Sequence, residues 1–216
     1  MSGMAVRVLI ADDHTIVRQG LVSILHGTTD ITVVAEAADG YEAVEKAITL
    51  RPDVVVLDIS MPRLNGLEAA RRITRKLPEC RVLVLTMHEA EEYVLRMVRA
   101  GVSGYLVKDG AASELITAIR AVRTGKGYFG PDAARILAEA LQGGTPPPED
   151  PYGSLTDRER EIFQLVVEGR TSAQIATVLC ISPKTVENHR THIMEKLGVH
   201  STAELLRYAA RHGLLS

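Results

Sequence analysis

Several apolar runs in the first half of the chain end in a residue with a charged or hydroxyl-bearing side chain. The residues at these ends are Asp12, Asp13, Asp58, Thr86 and Lys108. Carboxylate oxygens are the ligands that Mg²⁺ prefers in proteins, and an aspartate can also act as a covalent nucleophile. Ammonium and hydroxyl groups both donate hydrogen bonds to anionic oxygens. If the fold brings these side chains together, the set suits a divalent cation and a phosphoryl group.

The runs that precede these residues are rich in valine, isoleucine and leucine, which is typical of strands buried on both faces of a parallel sheet. Strands are predicted at residues 6–11, 31–37, 54–57, 81–85 and 104–107. A segment with helical periodicity follows each strand, and in the first helix Ile16, Leu21 and Leu25 are expected on the buried stripe. This alternation predicts an α/β domain with helices on both sides of a parallel sheet.

Short connections and right-handed crossovers leave few topologies for such a domain. The flavodoxin-like (βα)5 fold, with strand order 2-1-3-4-5, has its switch point between the first and third strands, and ligands bind there at the carboxyl ends. Those two strands lead into Asp12 and Asp58. Each residue alone has an ordinary interpretation, with Asp58 as a loop cap and Lys108 as a solvated lysine. Their shared position at strand ends favours a common site.

The order of these motifs over residues 5–125 resembles that of a response-regulator receiver domain. The resemblance implies that Asp58 is phosphorylated and that Asp13 and Asp58 ligate Mg²⁺ (or Mn²⁺) directly. It also implies that the main-chain carbonyl of Ser60 is a further ligand and that Asp12 acts mainly through water. Because three carboxylates repel one another, the cation is expected to be required for the chemistry.

The same resemblance implies roles for the residues that end the fourth and fifth strands. Lys108 is expected to offer positive charge to the transferred phosphoryl group. Thr86 and Tyr105 are expected to form a switch, in which Thr86 Oγ1 donates to a phosphoryl oxygen and Tyr105 then turns inward. An ordinary half-buried strand aromatic is an equally good interpretation of Tyr105, so both interpretations stay open at this point.

A stretch rich in proline and glycine divides the chain. Such composition gives an extended path with slack, which is typical of a linker between domains. We therefore predict a receiver domain at residues 1–126, a linker at 127–153 with a short helix at 132–141, and an all-α four-helix domain at 154–216.

The last part of the chain carries strong helix-start signals. Thr156 with Glu159, and Ser201 with Glu204, have capping-box spacing. A short helix at 172–179 and a longer one at 183–197 are separated by a tight turn, which is the helix-turn-helix plan.

The longer of these helices has two distinct faces at helical spacing. Val186, Ile193 and Leu197 form the predicted buried stripe, and the opposite side is polar. Asn can pair with adenine edges, while Lys, Arg and Thr favour phosphates or guanine. The residues predicted to contact DNA are Lys184, Thr185, Glu187, Asn188, His189, Arg190, Thr191 and Lys196.

Residues 155–197 resemble a LuxR-type helix-turn-helix, so that the whole chain resembles the NarL/FixJ family of two-component transcriptional regulators. One departure is Gln174, where family members usually carry an acid, and it is expected to alter only a local contact. The resemblance implies phosphorylation by a sensor histidine kinase, followed by formation of a homodimer that binds double-stranded promoter DNA. It implies no enzyme activity beyond the receiver's own phosphorylation and dephosphorylation.

The overall composition limits the other possibilities. The net charge of −2 over 216 residues argues against a generally basic nucleic-acid coat. Cys80 and Cys180 are too far apart in the sequence to suggest a metal motif. No apolar run reaches transmembrane length and no signal-peptide layout is present, so a cytoplasmic protein that makes no membrane contact is expected.

Residues 151–216 hold eight Lys or Arg and seven Asp or Glu. This weak charge predicts poor DNA binding by a monomer, so a dimer is expected to engage two half-sites. The apolar residues of the last helix are predicted either to form the dimer surface or to close the core of the domain. They are Leu205, Leu206, Tyr208 and Ala209.

Three other functions remain as alternatives. A phosphatase or phosphotransferase acting on small molecules is disfavoured because no cap of substrate size accompanies the acids. A DNA-binding protein with a vestigial receiver is disfavoured by the intact acid cluster, Thr86 and Lys108. RNA binding in antitermination is disfavoured because the tail lacks an aromatic base-stacking platform.

Overall fold

The structure is a computed structural model that describes residues 5–87, 91–108, 111–142, 151–212 and 214. The chain divides into two compact units, Met1–Leu141 and Gln142–Ser216. The first alternates strands and helices, and the second is helical. None of the described helices is long and apolar enough to cross a membrane.

The first unit is built on a parallel sheet. Its strands β1–β6 lie at Val6–Ala11, Ile31–Ala37, Val54–Leu57, Arg81–Thr86, Gly104–Val107 and Tyr128–Phe129. The order is β2-β1-β3-β4-β5-β6, and every neighbouring pair is parallel. The predicted flavodoxin-like order 2-1-3-4-5 is therefore confirmed, and a sixth strand extends it. In that strand Tyr128 pairs with Gly104, although the sequence pattern placed residues 127–153 in the linker.

Helices α1–α6 connect and follow these strands. They lie at Thr15–His26, Gly40–Leu50, Gly66–Lys76, Glu91–Arg99, Ala111–Arg123 and Pro131–Gln142. Leu21 and Leu25 of α1 are buried as predicted, but Ile16 is 86% exposed. Ile16 belongs to the first turn of α1, close after the end of β1, so it lies at the edge of the sheet rather than over its apolar face.

The core of the first unit explains why the carboxyl ends of the strands are fixed at one edge. Alternate residues of β1, β3 and β4, such as Ile10, Val56 and Leu83, are buried together with Leu25 and Ile119 from α1 and α5. Burial of each such side chain contributes about 1.5–3 kcal/mol. Because the strands are parallel, this packing sets the register of the residues that follow them.

In the described part of the second unit, a short 3-10 helix at Pro151–Ser154 precedes α7 to α10. These helices lie at Asp157–Val167, Ser172–Val178, Pro183–Leu197 and Thr202–Arg211. Gln174 completes the capping box of α8, since its Oε1 accepts a hydrogen bond from the backbone N–H of Thr171 at 2.9 Å. That the departure alters only this local contact stays a prediction.

An aromatic cluster closes the core of the second unit. The ring of Phe163 makes edge contacts with Tyr152 at 5.2 Å and with Tyr208 at 6.4 Å between centroids. Tyr152 lies in the range predicted as linker but is fully buried, so the packed helical unit includes it. Residues 143–150 of the predicted linker lie outside the described residues.

The last helix contributes mainly to this core. Leu205, Tyr208 and Ala209 are buried, while Leu206 is partly exposed. Of the two roles considered for this apolar set, closing the core is therefore the one that three of its members fulfil.

Candidate functional site

The main chain holds two of the predicted acids at one edge of the sheet. Ala11 and Leu57 are paired at the ends of β1 and β3. Beyond them, the backbone N–H of Asp58 donates to the carbonyl of Ala11 at 2.9 Å, and that of Asp12 donates to the carbonyl of Ala37 at 3.1 Å. The parallel ladders thus continue one residue past the strands, and both side chains are almost completely buried.

Lys108 reaches the same edge from the far side of β4. Its backbone N–H donates to the carbonyl of Thr86 at 2.7 Å, which continues the pairing of β4 and β5. Its Nζ lies 2.7 Å from Asp12 Oδ2 and 3.1 Å from Asp58 Oδ2. The structure therefore brings together three side chains that are widely separated in the sequence.

Asp13 and the neighbouring His14 complete an acidic pocket. One potential ligand atom from each of Asp12, Asp13, His14 and Asp58 lies within 4.8 Å of all the others. The loop that carries them is fixed by Arg18, whose guanidinium donates to the carbonyl of Asp12 at 2.7 Å. Neither His14 nor Arg18 was predicted from the sequence, although the position of His14 directly after two acids is a signal that points to it.

The electrostatics of the pocket follow from burial and from the lysine. Burial raises the pKa of Asp58 to about 6; the Lys108 ammonium acts in the opposite direction, and the charge of Asp12 raises it further. Burial alone would lower the pKa of Lys108, but its hydrogen bond to Asp12 and the charge of Asp58 outweigh that effect and raise it. Three carboxylates opposite one lysine leave excess negative charge, which favours a cation.

The loop after Asp58 depends on a glycine. A Cβ atom on Gly66 would lie 2.0 Å from the carbonyl oxygen of Asp58 and 2.8 Å from Cα of Ile59. The backbone N–H of Gly66 donates to the carbonyl of Ile59 at 2.8 Å, which closes the loop around the half-exposed Ser60. Gly66 therefore permits a backbone approach that no other residue could make.

The two residues of the predicted switch both lie inside the domain. Thr86 ends β4 and is fully buried, and Tyr105 lies in β5 with 1% of its surface exposed. Tyr105 thus already has the inward position that the switch assigns to the phosphorylated form. The switch itself stays a prediction.

In the second unit, α9 shows the two faces that its periodicity predicted. Val186, Ile193 and Leu197 are its buried residues. Five of the residues predicted to contact DNA are exposed and three are half-buried. The exposed ones are Lys184, Glu187, Asn188, Thr191 and Lys196, and the half-buried ones are Thr185, His189 and Arg190.

Several of these side chains are engaged within the unit. The hydroxyl of Ser172 donates to the carboxylate of Glu187 and lies 3.3 Å from Nη1 of Arg190, which links α8 to α9. Nζ of Lys196 lies 2.7 Å from Glu159 Oε2 at the start of α7. Lys196 is therefore held at the opposite end of α9 from Lys184.

Two family models match the chain. The response regulator receiver domain matches residues 8–120, and the luxR family of bacterial regulatory proteins matches residues 153–209. The chain is 41% identical over 215 residues to the oxygen regulatory protein NreC of Staphylococcus epidermidis, with 97% of this chain and 99% of that protein covered.

Solved structures are similar over nearly the whole length. The RcsB response regulator of Salmonella typhimurium has a TM-score of 0.59 at 29% identity, with 96% of this chain and 99% of that chain covered. A complex of the two-component response regulator RcsB with DNA has a TM-score of 0.59 at 28% identity, with 95% and 98% covered. With the geometry above, these matches show that the chain belongs to the NarL/FixJ family of response regulators, which join a receiver domain to a LuxR-type DNA-binding domain.

Proposed function

We propose that a sensor histidine kinase phosphorylates this protein on Asp58 and that the phosphorylated protein binds promoter DNA as a homodimer in the cytoplasm. The observation that carries the proposal is the position of Lys108 Nζ, 2.7 Å from Asp12 and 3.1 Å from Asp58, where β1, β3 and β5 end. An ammonium between two buried carboxylates is placed to offset the negative charge of a phosphoryl group both before and after its transfer to Asp58.

In the proposed reaction, a carboxylate oxygen of Asp58 attacks the phosphorus of a phosphohistidine on the kinase. The phosphorus–nitrogen bond breaks and the kinase imidazole leaves with that electron pair, which gives an aspartyl phosphate. Asp58 Oδ1 is held by the backbone N–H of Ile59 at 2.9 Å, so the carboxylate is oriented before the donor arrives. Lys108 then turns from its ion pair toward the transferred phosphoryl oxygens.

The residues of the pocket fit Mg²⁺ or Mn²⁺. Asp12, Asp13 and Asp58 supply hard oxygen donors, and the family resemblance adds the main-chain carbonyl of Ser60. Asp13 Oδ1 is shielded from solvent, and a carboxylate oxygen that has lost its water suits the role of a metal ligand. When bound, the cation would offset the charge that develops on the transferred oxygens.

Signal transmission is proposed to pass through Thr86 and Tyr105. Thr86 Oγ1 would donate to a phosphoryl oxygen on Asp58, drawing in the loop after β4. The Tyr105 ring is already buried, so movement of the loop after β4 would stabilise the inward position of the ring and would not be needed to produce it. The surface near β5 is then the part expected to differ between the two forms.

DNA binding is proposed for the exposed face of α9. Lys184, Asn188 and Thr191 are exposed along one side of this helix, and a similar response regulator, RcsB, has been solved as a complex with DNA. The weak net charge of residues 151–216 supports a requirement for two copies, each placing one α9 in a major groove.

The phosphorylation step is tested by incubating the full chain with acetyl phosphate and Mg²⁺ and measuring its intact mass. One added phosphoryl group is expected, located on Asp58 by peptide mapping and absent from Asp58→Asn. Asp53→Asn is the matched control, because Asp53 follows α2 at the other end of β3. Modification that persists in Asp58→Asn, or that is independent of Mg²⁺, would contradict the proposal.

The DNA step uses selection from a pool of random-sequence duplexes, followed by sedimentation of the protein with the selected duplex. The phosphorylated wild type is expected to sediment as a dimer and to bind on the order of tenfold more tightly than Asp58→Asn. Equal affinity of the two proteins would identify the receiver as vestigial. Sustained release of phosphate from small esters would instead support the enzyme alternative.

A further inference from the structure

His14 is the one member of the acidic pocket that the proposed function leaves unused. Its Nδ1 lies 2.9 Å from Asp13 Oδ1 and 3.6 Å from Asp12 Oδ1. Its backbone N–H donates to Asp12 Oδ1 at 2.8 Å, so the start of α1 holds the imidazole beside both acids. This position places a nitrogen donor at the mouth of a site whose other donors are oxygens.

The His14 side chain is needed neither to cap α1 nor to fill the core. His14 is the N-cap residue of α1, but its side chain makes no capping hydrogen bond. Its side chain is 67% exposed, so it adds little to the core. Its printed side-chain contacts are with the two acids, and Asp13 Oδ1, the nearer of the two oxygens, is shielded from solvent.

The separations suit atoms that share one metal ion. With metal–ligand bonds of about 2.1 Å, neighbouring donors on the same ion lie roughly 3 Å apart. The distances from Nδ1 to the two acids, 2.9 and 3.6 Å, are close to that value. Only small movements would therefore be needed for Nδ1 and the two carboxylate oxygens to turn their lone pairs toward a common cation.

We propose that His14 Nδ1 is a ligand of the metal in the acidic pocket and gives the site a preference for late first-row divalent ions over Mg²⁺. The proposal rests on the proposed function, since it takes Asp13 and Asp58 as ligands of the same ion. Imidazole suits Co²⁺, Ni²⁺ and Zn²⁺, whereas Mg²⁺ favours oxygen donors and retains its waters. His14 therefore determines which ion, and not whether an ion, occupies the pocket.

The test measures binding of Mg²⁺ and of Co²⁺ to the full chain by titration calorimetry, in the wild type and in His14→Gln. The wild type is expected to bind Co²⁺ more tightly than Mg²⁺. His14→Gln is expected to lose on the order of tenfold in Co²⁺ affinity and to keep its Mg²⁺ affinity. The visible absorption of bound Co²⁺ provides a second readout, because replacing a nitrogen ligand by oxygen shifts its bands.

Two matched variants separate the possible outcomes. His26→Gln removes an exposed histidine at the other end of α1 and is expected to leave both affinities unchanged. Asp13→Asn is expected to weaken both metals, which shows that Co²⁺ occupies this pocket and not another histidine site. Thermal unfolding without metal verifies that each variant is folded.

The remaining outcomes overturn one claim or both. If His14→Gln binds Co²⁺ as tightly as the wild type, or loses Co²⁺ and Mg²⁺ affinity equally, His14 is not a selective ligand and this inference is wrong. If it gains affinity for both ions, His14 competes with the metal for Asp13, which also refutes the inference. Failure of the wild type to bind either ion would refute the metal site of the proposed function itself.

Discussion

The acidic pocket and the exposed face of α9 arrange polar residues in opposite ways. The pocket collects Asp12, Asp58 and Lys108 from the ends of three strands. It buries the two acids and pairs the half-buried Lys108 with them at 2.7 and 3.1 Å. The face of α9 takes its polar residues from a single helix and leaves most of them exposed. The arrangement of the pocket depends on the topology of the whole receiver domain, whereas that of the α9 face depends only on the period of one helix.

This difference has an energetic consequence. A buried charge must be compensated by its neighbours, so each group in the pocket is coupled to the stability of the receiver. An exposed side chain on α9 has water as an alternative partner, so its removal leaves the fold nearly unaffected. Function and stability should therefore be coupled in the pocket and separable on α9.

The largest effect that tests this coupling is expected for Gly66→Ala. The added Cβ would lie 2.0 Å from the carbonyl oxygen of Asp58, so either the loop or the strand end must move. The free energy of unfolding, measured with urea and circular dichroism, should fall by about 3 kcal/mol. The extent of Asp58 phosphorylation by acetyl phosphate should fall together with the free energy of unfolding.

Gly20→Ala is the matched control for that substitution. Gly20 lies within α1 and a Cβ there would meet nothing within 4 Å. Alanine at this position should raise the free energy of unfolding by about 0.5–1 kcal/mol, because glycine is a poor helix former. Equal effects of the two substitutions would show that the close approach at Asp58 is unimportant.

A second test uses the raised pKa of Asp58, about 6 against an ordinary value of 3.8. Between these pH values the folded protein keeps a proton on Asp58 that the unfolded chain has lost. Without metal, the free energy of unfolding should therefore fall as pH rises from ~4 to ~7, with Asp58 accounting for roughly 2–3 kcal/mol. Asp58→Asn should remove this part of the slope.

Asp30→Asn is the control for the pH experiment. A hydrogen bond from Arg120 lowers the pKa of the exposed Asp30, so its contribution is lost only as pH falls below the ordinary range of an aspartate. Its substitution should leave the slope above pH ~4 unchanged. If Asp58→Asn and Asp30→Asn have the same profile, burial does not govern the titration of the pocket.

Much of both regions could be predicted from the sequence because burial constrains several consecutive or regularly spaced residues. Runs of valine and leucine predicted the strands, short right-handed connections predicted their order, and that order placed Asp12, Asp58 and Lys108 at one edge. The period of α9 gave Val186 and Ile193 as buried residues. The strands were recognised as continuous apolar runs and α9 by its helical period, and both signals extend over several residues.

Features without a repeat could not be predicted in this way. Strand β6 is two residues long, so it has no alternation to detect. Tyr152 is a single aromatic that packs on Phe163, and a lone residue carries no period. Even the predicted capping box at Ser201 differs in detail, since Glu204 Oε2 accepts from the backbone of His200.

The smallest effect comes from two lysines of α9 that the sequence treats alike. Lys184 is exposed at the start of the helix, whereas Lys196 is paired with Glu159 at 2.7 Å. Lys196→Ala should lower the free energy of unfolding by roughly 0.5 kcal/mol, because the pair is partly exposed and screened. Lys184→Ala should leave it unchanged but should reduce the dependence of log affinity for duplex DNA on log salt concentration by about one.

A substitution of Glu159, the ion-pair partner of Lys196, separates the two explanations. Glu159→Gln keeps an oxygen that can accept from the backbone N–H of Thr156, so the capping box is preserved while the charge is lost. It should reproduce the stability loss of Lys196→Ala. The salt dependence of DNA binding should not fall in Glu159→Gln, because Lys196 keeps its charge when its partner is neutral. Lys184→Ala and Lys196→Ala could instead have equal effects on the free energy of unfolding and on the salt dependence of DNA affinity. The ion pair with Glu159 would then not distinguish the two lysines, and the contrast with the pocket would be lost.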